Sequence, residues 1–194
     1  MKYATSEHTK HQLADALKQC MAQKPLEKIS IREITDRCGL RRETFYYHFS
    51  DIYDLLKWMF EEEALVLLRQ HEGAQLWQEG LLQLFHYIQD NHAFCLCALR
   101  SMGRSHLKRL FQKDIHSIIQ RTVDRLARET GFPIEDLVTQ FYAIALVGTV
   151  ESWLLGELPY TPEDLIQFAD TMLQDHLRGA ALRLGKLPPP ALQP

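Results

Sequence analysis

Residues 30–49, SIREITDRCGLRRETFYYHF, contain two short amphipathic segments joined by a glycine turn. Ser30 is a good helix-capping residue for a first helix over Ile31–Arg37, and Gly39 can supply the positive φ of a tight turn. Phe45 and Phe49 lie one helical turn apart and predict the buried side of a second helix over residues 41–48. Two short helices with such a turn predict a helix-turn-helix.

The opposite side of the second helix is rich in side chains that contact nucleic acid. At about 100° per residue it presents hydroxyl, imidazole and aromatic groups, preceded by two guanidinium groups. The candidate residues are Arg41, Arg42, Glu43, Thr44, Tyr46, Tyr47 and His48. These groups suit phosphate oxygens and base edges, so we predict that this helix contacts DNA.

The charge distribution agrees with that location. The whole chain of 194 residues carries a formal charge of -3, but residues 1–60 hold 10 Lys and Arg against 8 Asp and Glu, a net of +2. Residues 61–194 hold 12 against 17, a net of -5. A polyanion contact is therefore expected in the N-terminal third.

The remainder of the chain predicts helices throughout. Leucine occurs 30 times and valine 5 times, which favours helix over sheet. We predict an all-α protein of about nine helices. We predict an N-terminal three-helix DNA-binding domain over residues 1–50 and a C-terminal helical domain over residues 51–187. The prolines at 188–190 cannot continue a helix, so residues 188–194 are expected to be a flexible tail.

The apolar segment Leu137–Leu155 is 19 residues long, about the length that spans a bilayer. It contains Gln140 and Glu151, so we expect a helix buried on all sides within a cytoplasmic protein, with no membrane partner. The four cysteines are expected to be reduced thiols. The sequence has no glycine-rich phosphate loop, no nucleophile elbow and no cluster with metal-ligand spacing. We therefore expect neither an enzyme, nor a metal site, nor a cofactor.

The helix-turn-helix segment resembles the DNA-binding domain of the TetR/AcrR family of transcriptional regulators. The matching positions are Ile34, Gly39, Thr44, Tyr46, Tyr47, His48 and Phe49. The resemblance implies that Arg32 reads a base and that Arg42, Glu43 and Tyr46 face the DNA groove. It also implies that Thr44, Tyr47 and His48 contact phosphates. Ile52 stands where the family usually has a lysine, which removes one phosphate contact and predicts modest non-specific affinity.

Dimerisation is expected because one short recognition helix reads too few base pairs. Small residues recur at helical spacing along residues 134–156, and an apolar face follows along residues 161–184. The resemblance implies that these two helices form a four-helix bundle between two subunits. The candidate interface comprises Ala145, Gly148, Thr149, Ser152, Gly156, Leu165, Ala169, Met172 and Leu173. The alternative is that the small residues pack within one subunit.

The resemblance also implies that residues 51–187 serve dimerisation and effector binding. Candidate ligand-lining residues are Phe94, Cys95, Leu99, Arg100, Met102, His116, Tyr142 and Trp153, although such residues at helical spacing are more often plain core. The chain is thus expected to be a dimeric repressor that binds a palindromic operator. An unidentified small-molecule or protein effector is expected to control this binding.

A narrower resemblance concerns regulators of dihydroxyacetone kinase operons. It is carried by residues 42–51, by Tyr53-Asp54-Leu55-Leu56 with Trp58, and by Trp153-Leu154-Leu155-Gly156. It implies an alternative role as a co-activator that works through a kinase-like protein partner.

Overall fold

The computed structural model describes residues 2–70, 77–102, 104–130 and 135–183, and the regular elements in these residues are all helices, with no strand. The first three helices are α1 (Lys2–Met21), α2 (Ile31–Arg37) and α3 (Arg42–His48), with a 3-10 turn at Leu26–Lys28 between α1 and α2.

Helix α4 is continuous but not uniform. It comprises α-helical Ile52–Met59, a π-helical turn at Phe60–Leu65, and α-helical Val66–Gln70. Five further helices follow: α5 (Trp77–Asp90), α6 (His92–Met102), α7 (Arg104–Thr130), α8 (Asp136–Leu154) and α9 (Pro162–Arg183). The prediction of an all-α protein of about nine helices is confirmed for the described residues. The expected tail, residues 188–194, lies outside them.

The chain forms two compact units. The first comprises residues 1–66 and 87–110, and the second comprises residues 67–86 and 111–194. The core of the first unit holds fully buried side chains from α1 to α4, including Leu17, Ile34, Phe45 and Leu55. The domain boundary expected after residue 50 stays a prediction.

In the second unit, α8 differs from its prediction. Only part of its surface is buried: Leu137 is 68% exposed and Phe141 is 61% exposed. The expectation of a helix buried on all sides was therefore wrong. By length and composition alone this helix could cross a membrane. Its exposed side chains instead continue into an apolar groove with α9.

Candidate nucleic-acid interface

Local capping fixes the helix-turn-helix. The Ser30 hydroxyl accepts a hydrogen bond from the Glu33 amide at 3.2 Å and so caps α2. Gly39 ends the helix at φ 66°, with the Leu40 amide donating to the Thr35 carbonyl at 2.9 Å. This is a Schellman motif, in which glycine avoids the penalty of a left-handed conformation. The predicted turn chemistry is confirmed.

Aromatic packing fixes the orientation of α3. Phe45 is fully buried and its ring lies 5.9 Å from that of Phe49. Phe49 in turn lies 5.7 Å from Trp58 of α4, measured between ring centroids. Aromatic pairs at these separations add to the stability from their buried area. Because one side of α3 is anchored in this way, its other side is held towards solvent.

The residues predicted to contact DNA lie mostly on that solvent side. Tyr47 is 83% exposed and Tyr46 is 47% exposed. Arg41, Arg42, Glu43 and the α2 residue Arg32 are also exposed, whereas Thr44 and His48 are half-buried. These eight residues, whose contact with DNA is a prediction, are called the DNA-binding face: Arg32, Arg41, Arg42, Glu43, Thr44, Tyr46, Tyr47 and His48.

Burial changes the electrostatics of one member of the face. Burial lowers the pKa of His48 below its usual value, and the positive charge of Lys10 is the second cause. The imidazole is thus neutral at pH 7 and offers a single N–H donor. A nearby phosphate would act in the opposite direction and raise the pKa of His48.

At the start of α4 the structure shows an exposed aromatic residue, Tyr53, that was not among the predicted contacts. Asp51 caps the helix by accepting a hydrogen bond from the Asp54 amide at 2.8 Å. Ile52 is half-buried, whereas the next residue, Tyr53, is 47% exposed. The exposed ring could have been anticipated, because Leu55, Leu56 and Met59 form the buried side of α4 and Tyr53 lies off that pattern.

A polar network inside the first unit was also missed. Lys18 of α1 forms an ion pair with Glu63 of the π-turn, and the Tyr87 hydroxyl donates to Glu63 Oε2 at 3.0 Å. Lys18 Nζ lies 5.6 Å from the ring centroids of both Tyr87 and Phe94. Burial, with the Glu63 carboxylate second, raises the pKa of Tyr87, so its phenol keeps the proton that it donates.

The second unit presents an apolar groove of about 830 Å³ along α8 and α9. Phe141, Phe168 and Met172 line it and are each at least 46% exposed. Six residues of the predicted dimer interface also line it: Ala145, Thr149, Leu165, Ala169, Met172 and Leu173. Hydrocarbon side chains left exposed together in this way are typical of a surface that another protein covers.

Three members of the predicted interface do not line the groove. Gly148 is exposed, and a Cβ added there would meet nothing within 4 Å. Ser152 is half-buried near the end of α8. Gly156 lies beyond the helix at φ 73°, with the Glu157 amide donating to the Ser152 carbonyl at 2.9 Å. A Schellman turn therefore accounts for the glycine at 156, which is not a small residue on the helix itself.

The predicted ligand-lining residues fall in both units. Phe94, Cys95 and Leu99 are buried in the first unit, where Phe94 packs on Phe60 with ring centroids 5.2 Å apart. Burial raises the pKa of the Cys95 thiol to about 12, so it stays protonated and unreactive. In the first unit Arg100 is exposed and Met102 is half-buried.

The other three members lie in the second unit. His116 is half-buried. The Trp153 indole donates to the Tyr160 carbonyl at 3.0 Å, and its ring packs edge-on against Phe85. Tyr142 lines the groove and its hydroxyl donates to the Met172 carbonyl at 3.1 Å. As a ligand site the set of eight stays a prediction.

Family models match both parts of the chain. Residues 13–59 match the model for bacterial regulatory proteins of the tetR family, and residues 75–175 match a model for a transcriptional regulator C-terminal region. The fold and the site thus define a helix-turn-helix transcriptional regulator and not an enzyme. The chain belongs to the TetR family.

The chain is also similar to individual transcriptional regulators. The HTH-type dhaKLM operon transcriptional activator DhaS of Lactococcus lactis subsp. lactis (strain IL1403) is 33% identical over 82 residues, 42% of this chain. The match spans 44% of that relative, less than half of its length.

Two solved structures share the fold. A dihydroxyacetone kinase operon activator, DhaS, aligns with TM-score 0.69 and 22% identity over 88% of this chain and 96% of that one. A TetR transcriptional regulator from Streptococcus agalactiae 2603V aligns with TM-score 0.63 and 24% identity over 89% and 97%.

Proposed function

We propose that this TetR-family regulator binds a palindromic operator as a homodimer through the DNA-binding face of α2 and α3. The observation that carries the proposal is that α3 is anchored by buried Phe45 while Tyr47, beside it, is 83% exposed. A seven-residue helix that exposes two tyrosines and one arginine, with a second exposed arginine at its N-cap, has groups that bind phosphates and base edges but few protein partners within its own chain.

Dimerisation supplies the second half-site. The groove between α8 and α9 exposes Phe141 and Phe168, and two copies of such a face can cover each other around a two-fold axis. The two DNA-binding faces would then contact half-sites 34–36 Å apart or a multiple of that distance. We place the protein in the cytoplasm, together with its DNA.

Repression is the mode of regulation that requires the fewest proteins besides the dimer itself. A dimer on an operator excludes other proteins from that DNA, and an effector with unequal affinity for two conformations shifts the DNA affinity reciprocally. The effector is a small molecule or a protein that acts on the C-terminal domain, with the eight predicted ligand-lining residues as candidates. Neither DNA binding nor dimerisation needs a cofactor, a metal or a membrane.

A second candidate function is activation through a protein partner. It is favoured by the relatives named DhaS, of which one is named a transcriptional activator and the other an operon activator. In this mode the same DNA-binding face locates the operator, and a kinase-like subunit acts as co-effector. Transcription from the selected operator, measured with and without the regulator, separates the two modes by the sign of the change.

The first experiment is a selection of the purified protein against random duplex DNA at low and then moderate salt. We expect a palindromic site whose affinity falls as salt rises, because protein cations displace counterions from the phosphates. The fall should be shallow, because few phosphates are neutralised. Arg42→Ala and Tyr47→Ala should each weaken binding to that site at least tenfold while the helical circular dichroism stays unchanged.

Gln89→Ala, at an exposed position of α5 remote from α3 in sequence, is the control and should bind as the wild type does. If both α3 variants bind normally, the DNA-binding face lies elsewhere. If the wild type selects no sequence at either salt concentration, binding to DNA requires the protein co-effector or does not occur.

A further inference from the structure

Two residues of the DNA-binding face contact each other. Arg42 Nη2 donates a hydrogen bond to the Tyr46 hydroxyl at 3.0 Å, and the Arg42 guanidinium carbon lies 5.4 Å from the centroid of the Tyr46 ring. The two residues are four apart in α3, the spacing at which side chains meet on one side of a helix. The guanidinium is therefore held in one place by a hydrogen bond and by a cation–π contact.

The tyrosine that holds the arginine is itself held. The Tyr46 ring packs edge-on against Phe45, with centroids 5.8 Å apart and planes at 83°. Phe45 is fully buried. A chain of contacts thus runs from the core through the Tyr46 ring to the Arg42 guanidinium, although both Tyr46 and Arg42 are exposed.

The charge of Arg42 is not neutralised by a carboxylate of the described residues. In the described part of the chain no carboxylate lies within ion-pair distance of Arg42, and its hydrogen bond goes to a neutral hydroxyl. Arg32 on α2 differs, because its Nε lies 3.6 Å from the carboxylate of Asp36. A guanidinium has five N–H donors, so Arg42 retains four after the bond to Tyr46.

We propose that Tyr46 is a positioning residue that presents the Arg42 guanidinium to a guanine in the major groove. The inference rests on the proposed function and names the base for which the operator must be specific. Guanine presents O6 and N7 as two adjacent acceptors, which a guanidinium fork contacts in a bidentate manner. Ordering the fork before binding reduces the entropy lost when the two hydrogen bonds form.

This proposal assigns the two tyrosines different roles. Tyr46 contributes through Arg42 to the preference for one base, whereas Tyr47, on the phosphate-contacting part of the face, contributes to affinity for any sequence. Removal of the two hydroxyls one at a time separates these roles, because Tyr46→Phe and Tyr47→Phe are the same chemical change at neighbouring positions.

The experiment uses the full-length protein and the operator selected by the wild type. Each guanine of a half-site is changed to adenine in both half-sites, and affinity is measured by fluorescence anisotropy. We expect one guanine at which the change lowers the affinity of the wild type at least tenfold, because a bidentate pair discriminates against the wrong base. In Tyr46→Phe that ratio should fall to about threefold, and in Tyr46→Leu, which also lacks the ring, to near one.

Tyr47→Phe is the matched control and should lower the affinity for every sequence by the same factor, with the guanine preference intact. A second measurement tests whether Tyr46 acts through Arg42. In the Arg42→Ala background, Tyr46→Phe should cause no further loss of the guanine preference, because coupled residues are non-additive. The thermal midpoint of each variant, followed by circular dichroism, shows that the helices are intact.

Three results would overturn the proposal. The first is an unchanged guanine preference in Tyr46→Phe and Tyr46→Leu. The second is an equal loss from Tyr46→Phe with and without Arg42, which would make the tyrosine an independent base contact. The third is a selected operator with no guanine that matters. A wild-type protein that selects no operator overturns the proposed function itself, and this result differs from the other three.

Discussion

The exposed face of α3 and the exposed face of α8 and α9 are both rich in large side chains, but they differ in hydrogen-bonding capacity. On α3 the exposed aromatics Tyr46 and Tyr47 carry hydroxyls and lie beside guanidinium groups. On α8 and α9 the most exposed members are Leu137, Phe141 and Phe168, which carry none. Exposure alone therefore does not indicate a partner, whereas the chemistry of the exposed atoms separates a nucleic-acid surface from a protein surface.

The two faces also depend on their surroundings to different degrees. The orientation of α3 is set by rings of the same chain, from Phe45 to Phe49 to Trp58. The face along α8 and α9 remains open within one chain, with a groove of about 830 Å³. The first surface is thus complete in one subunit, whereas our proposal for the second requires another copy of the chain.

The largest effect is expected on removal of the anchor of α3. Phe45→Ala should lower the free energy of unfolding by about 3–5 kcal/mol, because a fully buried phenyl ring is replaced by a cavity. Urea denaturation followed by circular dichroism measures the change. Tyr47→Ala, two residues away and exposed, is the control and should change stability by about 0.5 kcal/mol or less. Equal losses from the two variants would mean that Phe45 does not anchor the helix.

The next effect concerns the second face. Gly148→Trp should weaken the dimer by about 1–3 kcal/mol per subunit, because bulk is added to a packed interface. An added Cβ at Gly148 meets nothing within 4 Å in the single chain, so the variant subunit should fold normally. Light scattering over a range of protein concentrations measures the shift towards monomer.

Gln89→Trp, which places the same bulky side chain at an exposed site on α5, should leave the oligomeric state unchanged. A Gly148→Trp protein that is as dimeric as the wild type would remove this face from the interface. A monomeric wild type would argue against the dimer altogether.

The smallest effect is expected at the cap of α4. Asp51→Ala should cost about 1 kcal/mol, because the Asp54 amide loses the carboxylate that accepts its hydrogen bond at 2.8 Å. Asp51→Asn keeps an acceptor oxygen and should cost only a fraction of that. Thermal denaturation of the two variants measures the difference. An equal loss in both would assign the effect to the charge and not to the cap.

The sequence was most informative where structure is local. Ser30, Gly39 and the Phe45–Phe49 spacing act within a few residues, so the helix-turn-helix and its buried side could be predicted. The exposed face of α8 could not. An apolar helix that packs partly against its own chain and exposes the rest has the same periodicity as one buried on all sides.

Contacts between residues that are far apart in the sequence could not be predicted either. Lys18 and Glu63 are 45 residues apart, and Glu63 and Tyr87 are 24 apart, so only the fold brings them together. The hydrogen bond between Arg42 and Tyr46 is local, by contrast. Its i, i+4 spacing was visible in the sequence, but spacing cannot show which of the many exposed rotamers of arginine is used.

The π-turn Phe60–Leu65 affects how this chain can gain or lose residues. Because a π-turn closes its hydrogen bonds one residue further along than an α-helix, it acts as a one-residue insertion in α4. A deletion within it would restore α-helical spacing and move Glu63 away from Lys18 and Tyr87. A lysine would then be left in a mostly buried place without its carboxylate. The length of α4 and the identity of residue 18 are therefore expected to change together among relatives, so that a shorter helix is accompanied by an uncharged residue on α1.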